Sequence, residues 1–352
     1  MNKCLLVPRL VTRYCLFNKS RVLIVVVILA LLSTGCTGKV SQKNQPIVDN
    51  VSSKQNLPTL KIGVLPTQSR TEQERMIKPL KEYLEQSLGQ RGDTKSQSKI
   101  IGGQGRHKKP EIQKVEYAIA SSVDFQIAKD YEQIIDWLLQ DKLDMAYLGP
   151  MSYLEALDRG AKVEPLVAPI DKYTGQPWYR ACIIVRQDSL IKTLKDLKGK
   201  RIAFVDKLST SGYLMPLATF KKVGINYDRD FAKVLYTGSH SNSMAALENG
   251  IVDAVATNIS SYLKRQKSGK LTPQNSRILW ESAPIPSYPI VVSKRLAPEL
   301  IQRLKQAFIS SPEGFEDIIG TESAGYTLVS SSDYAPIEQL RKYLNLISVP
   351  AK

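Results

Sequence analysis

The hydrophobic pattern changes character three times along the 352 residues. Residues 22–32 form an unbroken apolar run, preceded by Lys3, Arg9, Arg13, Lys19 and Arg21, and the first 35 residues contain no acid. That run is too short to span a bilayer comfortably, and with its basic flank it reads as the apolar region of a secretory signal covering residues 1–35. Residues 36–57 are polar and turn-rich, the composition of a flexible tether. From residue 58 onward, short apolar runs alternate with stretches of helical period.

"LKIGVLP" predicts a strand and "TEQERMIKPLKEYLEQSL" a helix. In that helix Thr71 and Glu74 have capping-box spacing, and Met76, Ile77, Leu80, Tyr83, Leu84 and Leu88 share one face. Further strands are expected at 115–120, "LDMAYLG", "ACIIVR", "RIAFVD", "KVLYTG" and "VDAVAT". Helices are expected at 131–140, after Ser211, through 244–247, at Pro298–Ile309 and at 334–346. Such alternation predicts an α/β protein with largely parallel sheets. An internal echo supports two lobes of one design. Asp144-Met145-Ala146 is followed by Ser152-Tyr153-Leu154, and Asp253-Ala254-Val255 by Ser261-Tyr262-Leu263, at the same spacing. The expected lobes are 58–178 plus 284–352 and 179–283, with crossings near Tyr179 and at 284–289 that act as a hinge over a cleft.

Charge and cysteine content refine this picture. The chain carries 49 basic against 33 acidic residues, and loss of the five in the signal leaves 44 against 33. Much of the excess lies at 90–114, where Arg91, Lys95, Lys99, Arg106, Lys108, Lys109 and Lys114 face only Asp93 and Glu111. This composition reads as a solvated surface loop, able to touch anionic surfaces. It lacks the interleaved aromatics and helical repeat of a nucleic-acid module, so no nucleic-acid partner is expected. "LLSTGC" resembles the lipobox of bacterial lipoproteins, with Ser33 where that pattern prefers Leu. The resemblance implies a lipidated Cys36 as mature amino terminus, and hence an exported protein anchored to a membrane at the periplasmic side or cell surface. Cys4 and Cys15 would leave with the signal, so Cys182 remains as a core thiol with no internal disulfide.

Candidate chemistry centres on "FVDKLSTSGYLMP". A strand there runs into Ser209, Thr210 and Ser211 and directly into a helix, so hydroxyls sit at a helix start whose unpaired N–H groups and dipole suit an anion. In isolation the same cluster is an ordinary N-cap. His240, in "TGSHSNS", lies at a second such turn; protonated, it would add positive charge beside an anion. Tyr147 ends a strand before Gly149 and Pro150, where its phenol either closes over a ligand or packs in the core. With two histidines in all, no metal-ligand spacing, no nucleophile elbow and no Ser-His-Asp or Cys-His arrangement, neither an enzyme nor a cofactor is expected.

Taken in order and spacing, "IGVLPTQS", "DMAYLGPMSYLEA", "SLIKTLKDLKGKRIAFVDKLSTSGYLMP", "TGSHSNSMAALENGIVDA" and "SAPIPSYPIVV" resemble the phosphate/phosphonate-type substrate-binding proteins of ABC transporters. The similarity covers about residues 60–346, with "STSGYL" and the later "GSH" its most specific pieces. It implies a two-lobed type II periplasmic-binding fold closing on a small phosphorus oxyanion, with a permease and ATPase as partners. It also implies that His240 contacts the phosphonate and that Tyr173 and Tyr179 are cleft aromatics, without distinguishing which reaches the ligand. Many relatives read P-x-P-N-D-P where this chain reads "PIPSYP", so Tyr288 replaces an acid that can pair with a ligand amine, and Ser260 stands near the position of a second acid. A compact oxyanion without an amine is therefore expected. The alternatives are a ligand-binding sensor subunit on the same fold and, behind it, an enzyme on this fold.

Overall fold

The computed structural model describes residues 59–89, 122–172, 174–312, 318 and 323–346. The signal, the tether with Cys36, the basic loop at 90–114, the strand expected at 115–120 and Tyr173 lie outside the described residues.

The chain order is β1 (Thr59–Val64), α1 (Arg70–Gly89), β2 (Ser122–Ile127), α2 (Tyr131–Leu139), β3 (Met145–Tyr147), α3 (Pro150–Asp158) and β4 (Val163–Asp171). It continues through β5 (Trp178–Tyr179), β6 (Ala181–Arg186), β7 (Arg201–Phe204), α4 (Met215–Lys222), β8 (Lys233–Tyr236), α5 (His240–Glu248), β9 (Ala254–Asn258) and α6 (Ile259–Lys267). It ends with β10 (Ser276–Glu281), β11 (Ile285–Pro286), β12 (Ile290–Ser293), α7 (Pro298–Ile309), β13 (Ser323–Leu328) and α8 (Ala335–Tyr343).

The expected apolar face of α1 is buried at Met76, Ile77, Leu80, Leu84 and Leu88, while Tyr83 is half-buried and its hydroxyl donates to the Ala307 carbonyl at 2.7 Å. The capping box is not formed. The helix begins at Arg70, one residue early, so Thr71 falls inside the first turn and Glu74 pairs with Arg70 at 2.9 Å instead.

Two large sheets form, ordered β13-β4-β12-β3-β1-β2 and β10-β6-β9-β7-β8. They are mixed, as expected, but with antiparallel ladders in a slight majority: β1 pairs parallel with β2 and β3, and β7 with β8 and β9, while the other five ladders of the two sheets are antiparallel. The reason is topological. Parallel neighbours need a crossover element on their own sheet, whereas β6 and β12 are the strands on which the chain enters each sheet from the other. It leaves the first sheet through β5 and returns through β11, and these two pair antiparallel, Tyr179 with Ile285 and Trp178 with Pro286. The first sheet carries one continuous apolar core, including Ile62, Leu84, Met145, Ile290 and Phe308; the second packs separate clusters on its two faces, one around Phe204 and Phe220 and one around Met244 and Leu247. Cys182, a buried free thiol of β6, belongs to the latter.

Candidate ligand-binding site

Five parallel strands, β1, β2 and β3 of one sheet and β7 and β8 of the other, send their carboxyl ends toward a single cavity. It is tight, with a cavity volume of about 10 Å³, and is lined by Leu65, Thr67, Tyr131, Gly149, Tyr179, Ser209, Thr210, Ser211, His240 and Tyr288. Ligands of open α/β sheets sit beyond strand carboxyl ends because the following helices begin there. Four helical starts meet at this cavity: Tyr131 is the first residue of α2, Gly149 the N-cap of α3, Ser209 the N-cap of the turn leading into α4, and His240 the first residue of α5.

The three hydroxyls after β7 are not equivalent. Ser209 Oγ accepts the Gly212 N–H at 3.0 Å and so serves as an N-cap. Thr210 Oγ1 accepts the Met151 N–H of α3 at 2.8 Å. Ser211 Oγ is buried and makes no hydrogen bond of regular geometry, although it lies beside the Tyr179 hydroxyl. Residues 210–214 wind as a π turn, with the Leu214 N–H on the Ser209 carbonyl, which widens the helix start. Gly212 is required by close approach: a Cβ there would lie 2.4 Å from Val205 Cγ2 and 2.9 Å from Ser209 Oγ.

His240 is 2 % exposed, with Nδ1 at 2.9 Å from Thr257 Oγ1. Burial disfavours its charged form and pushes its pKa down to about 4. Near neutral pH the ring is therefore neutral, because no carboxylate offsets its desolvation. Tyr179 stacks on Tyr288 with centroids 4.4 Å apart. Desolvation raises the Tyr179 pKa, opposed by hydrogen bonding to Ser211, Thr210 and Tyr288, and desolvation raises that of Tyr131, whose hydroxyl bonds Ser209. Both remain neutral phenols. No lining residue carries a full charge. Asp206, just upstream, is half-buried, receives the Leu208 N–H at 2.8 Å, and has its pKa raised by desolvation.

Of the residues singled out in the sequence, Ser209, Thr210, Ser211, His240, Tyr179 and Tyr288 are brought together. Tyr147 is not. It is fully buried beside Phe125, centroids 6.4 Å apart, and is absent from the cavity lining. Its strand is central, between β12 and β1, where both sheet faces are covered. Ser260 is drawn away too, donating to Asp171 Oδ2 at 3.3 Å. Leu65, Thr67, Tyr131 and Gly149 were missed. The signal was present: each follows a parallel strand, as the serine cluster does.

Residues 110–334 match the family model described as "ABC transporter, phosphonate, periplasmic substrate-binding protein". The chain belongs to that family. It is 32% identical over 207 residues, 56% of this chain and 64% of the relative, to the phosphate-import protein PhnD of Mycolicibacterium smegmatis. The chain thus spans just under two thirds of that relative's length. It is 30% identical over 249 residues, 68% of this chain and 72% of the relative, to the phosphonates-binding periplasmic protein of Escherichia coli. The structure of PhnD1 from Prochlorococcus marinus in complex with methylphosphonate superposes with a TM-score of 0.65 at 19% identity, covering 82% of this chain and 99% of that one. That likeness establishes the shared two-lobed fold. Among the described residues no helix is long and apolar enough to cross a membrane, and no cluster of His, Cys, Asp or Glu could hold a metal ion.

Proposed function

We propose that this protein captures a compact phosphorus oxyanion (phosphate, phosphite or methylphosphonate) outside the cytoplasm and delivers it to the permease and ATPase of an ABC importer. The observation that carries this reading is the convergence of four helical starts and neutral hydroxyl, phenol and imidazole groups on one small cavity. Helix starts carry aligned dipoles and first-turn N–H groups that favour a tetrahedral anion without a lysine or arginine. Ser211, His240, Tyr179 and Thr67 are the proposed side-chain contacts, with Ser209 shaping the turn and Thr210 shared with the closing contact to Met151. Hydrogen bonds to a charged group are each worth about 1.5–3 kcal/mol net, so a handful can offset closure and leave micromolar affinity, about −8 kcal/mol. The lobes meet at the β5–β11 ladder, which acts as the hinge. Lipidation of Cys36 holds the receptor at the membrane through the 36–57 tether. The protein binds its ligand without transforming it.

Selectivity follows from Tyr288 at the lining and the lack of a lining acid. An ammonium buried there has no partner, which costs several kcal/mol. Calorimetry on ligand-stripped protein should show at least about tenfold preference for phosphate, phosphite or methylphosphonate over 2-aminoethylphosphonate, and Tyr288→Asp should narrow the gap. Tightest binding by the aminophosphonate would overturn the selectivity; no binding of any of the four would overturn the function.

A further inference from the structure

The echo seen in the sequence is a structural repeat. Asp144 precedes β3, its N–H on the Lys61 carbonyl and its carboxylate receiving the Lys61 N–H, both at 2.9 Å. Asp253 precedes β9 and makes the same pair with Arg201, both at 2.9 Å. Strand β3 with α3 therefore corresponds to β9 with α6, and β1 to β7. The third residue of each helix is a buried serine, Ser152 in α3 and Ser261 in α6, eight positions after its aspartate.

Each serine reaches across to the other sheet's side of the molecule. Ser152 Oγ donates to the Leu208 carbonyl at 2.9 Å, in the turn after β7. Ser261 Oγ accepts from Gln68 Nε2 at 3.4 Å, in the turn after β1. Equivalent helices thus grip equivalent turns, reciprocally. Each contact has a companion: Met151 N–H to Thr210 Oγ1 at 2.8 Å beside Ser152, and Lys264 Nζ to Glu72 Oε1 at 2.8 Å beside Ser261.

We propose that Ser152 and Ser261 are paired positioning residues, a reciprocal clasp that holds the two lobes closed by protein–protein contacts alone and sets how fast a captured ligand escapes. Neither lines the cavity, so they act on the ligand through closure. A net hydrogen bond changes the closed-to-open ratio by about two- to tenfold. Losing one should raise the escape rate by that factor, while apparent affinity falls only as far as the closed fraction falls.

The Met151 amide is a built-in reporter, since its acceptor lies across the cleft. Amide exchange by mass spectrometry on unliganded protein, over a peptide containing Met151, tests the clasp without any ligand. Ser261→Ala and, separately, Gln68→Ala alter only the opposite end, yet each should speed Met151 exchange about threefold, with the double variant no faster than either. Unchanged Met151 exchange in both Ser261→Ala and Gln68→Ala, at wild-type melting temperature, overturns the clasp. The escape-rate arm rests on the oxyanion reading: stopped-flow release of phosphate and methylphosphonate should quicken by the same factor. If neither anion binds, the ligand reading fails while the exchange arm still decides the clasp.

Discussion

Replacing Ser211 by Ala separates a ligand-binding hydroxyl from a structural one, because the two roles predict opposite changes. Ser211 Oγ is buried and makes no regular hydrogen bond, while its neighbour Ser209 caps the turn. A buried hydroxyl without a good partner costs about 1–3 kcal/mol, so Ser211→Ala should leave stability unchanged or raise it. A hydroxyl donating to an anion contributes about 1.5–3 kcal/mol, so the same change should weaken binding of phosphate or methylphosphonate roughly 10- to 150-fold. Ser209→Ala should behave inversely, losing about 1 kcal/mol of stability with the cap and less affinity than Ser211→Ala. Urea unfolding of the unliganded variants, beside calorimetry with both anions, measures the four quantities. Undiminished affinity in Ser211→Ala would remove the hydroxyl from the ligand site. A loss of stability beyond 1 kcal/mol would instead make it part of the fold through its neighbour Tyr179.

Three further outcomes are expected. His240 is neutral when folded, with its pKa pushed to about 4 by burial, so between pH 6.5 and 4 the unfolded chain takes up a proton that the folded chain refuses. Its stability contribution is complete above pH 6.5 and falls with pH through that window, by about 3 kcal/mol in all; denaturation at pH 7 and 4.5 should show a drop that His240→Gln reduces, and an equal drop in the variant would contradict the assignment. Gly212→Ala pushes a methyl into Val205 and Ser209, so it should cost about 1–3 kcal/mol and weaken anion binding, whereas wild-type values for both would show that the turn can move. Cys36→Ser should abolish incorporation of labelled fatty acid and release the protein from membranes or leave it unprocessed; an unlabelled wild type would refute the anchor.

The sequence by itself determined the class of fold and the neighbourhood of the site. Apolar periodicity located α1 and its buried face, Pro298–Ile309 matched α7 end to end, and the strand-to-helix turns at Ser209–Ser211 and His240 were visible because those signals are local. The Asp–Ser-Tyr-Leu echo was legible too, since each aspartate acts on a neighbouring strand in the same repeated way. What only the tertiary structure decided depends on distant segments. The strand directions around β12 and β6 follow from crossings between sheets, which no local pattern encodes. Tyr147 and Tyr288 are both tyrosines near prolines, yet the first lies on a central strand covered on both faces, and the second follows the two-residue strand β11 and stacks on Tyr179 at the cavity. The charge of His240 was likewise beyond local reading, because a pKa is set by the dielectric and partners that packing supplies, here Thr257 and no acid.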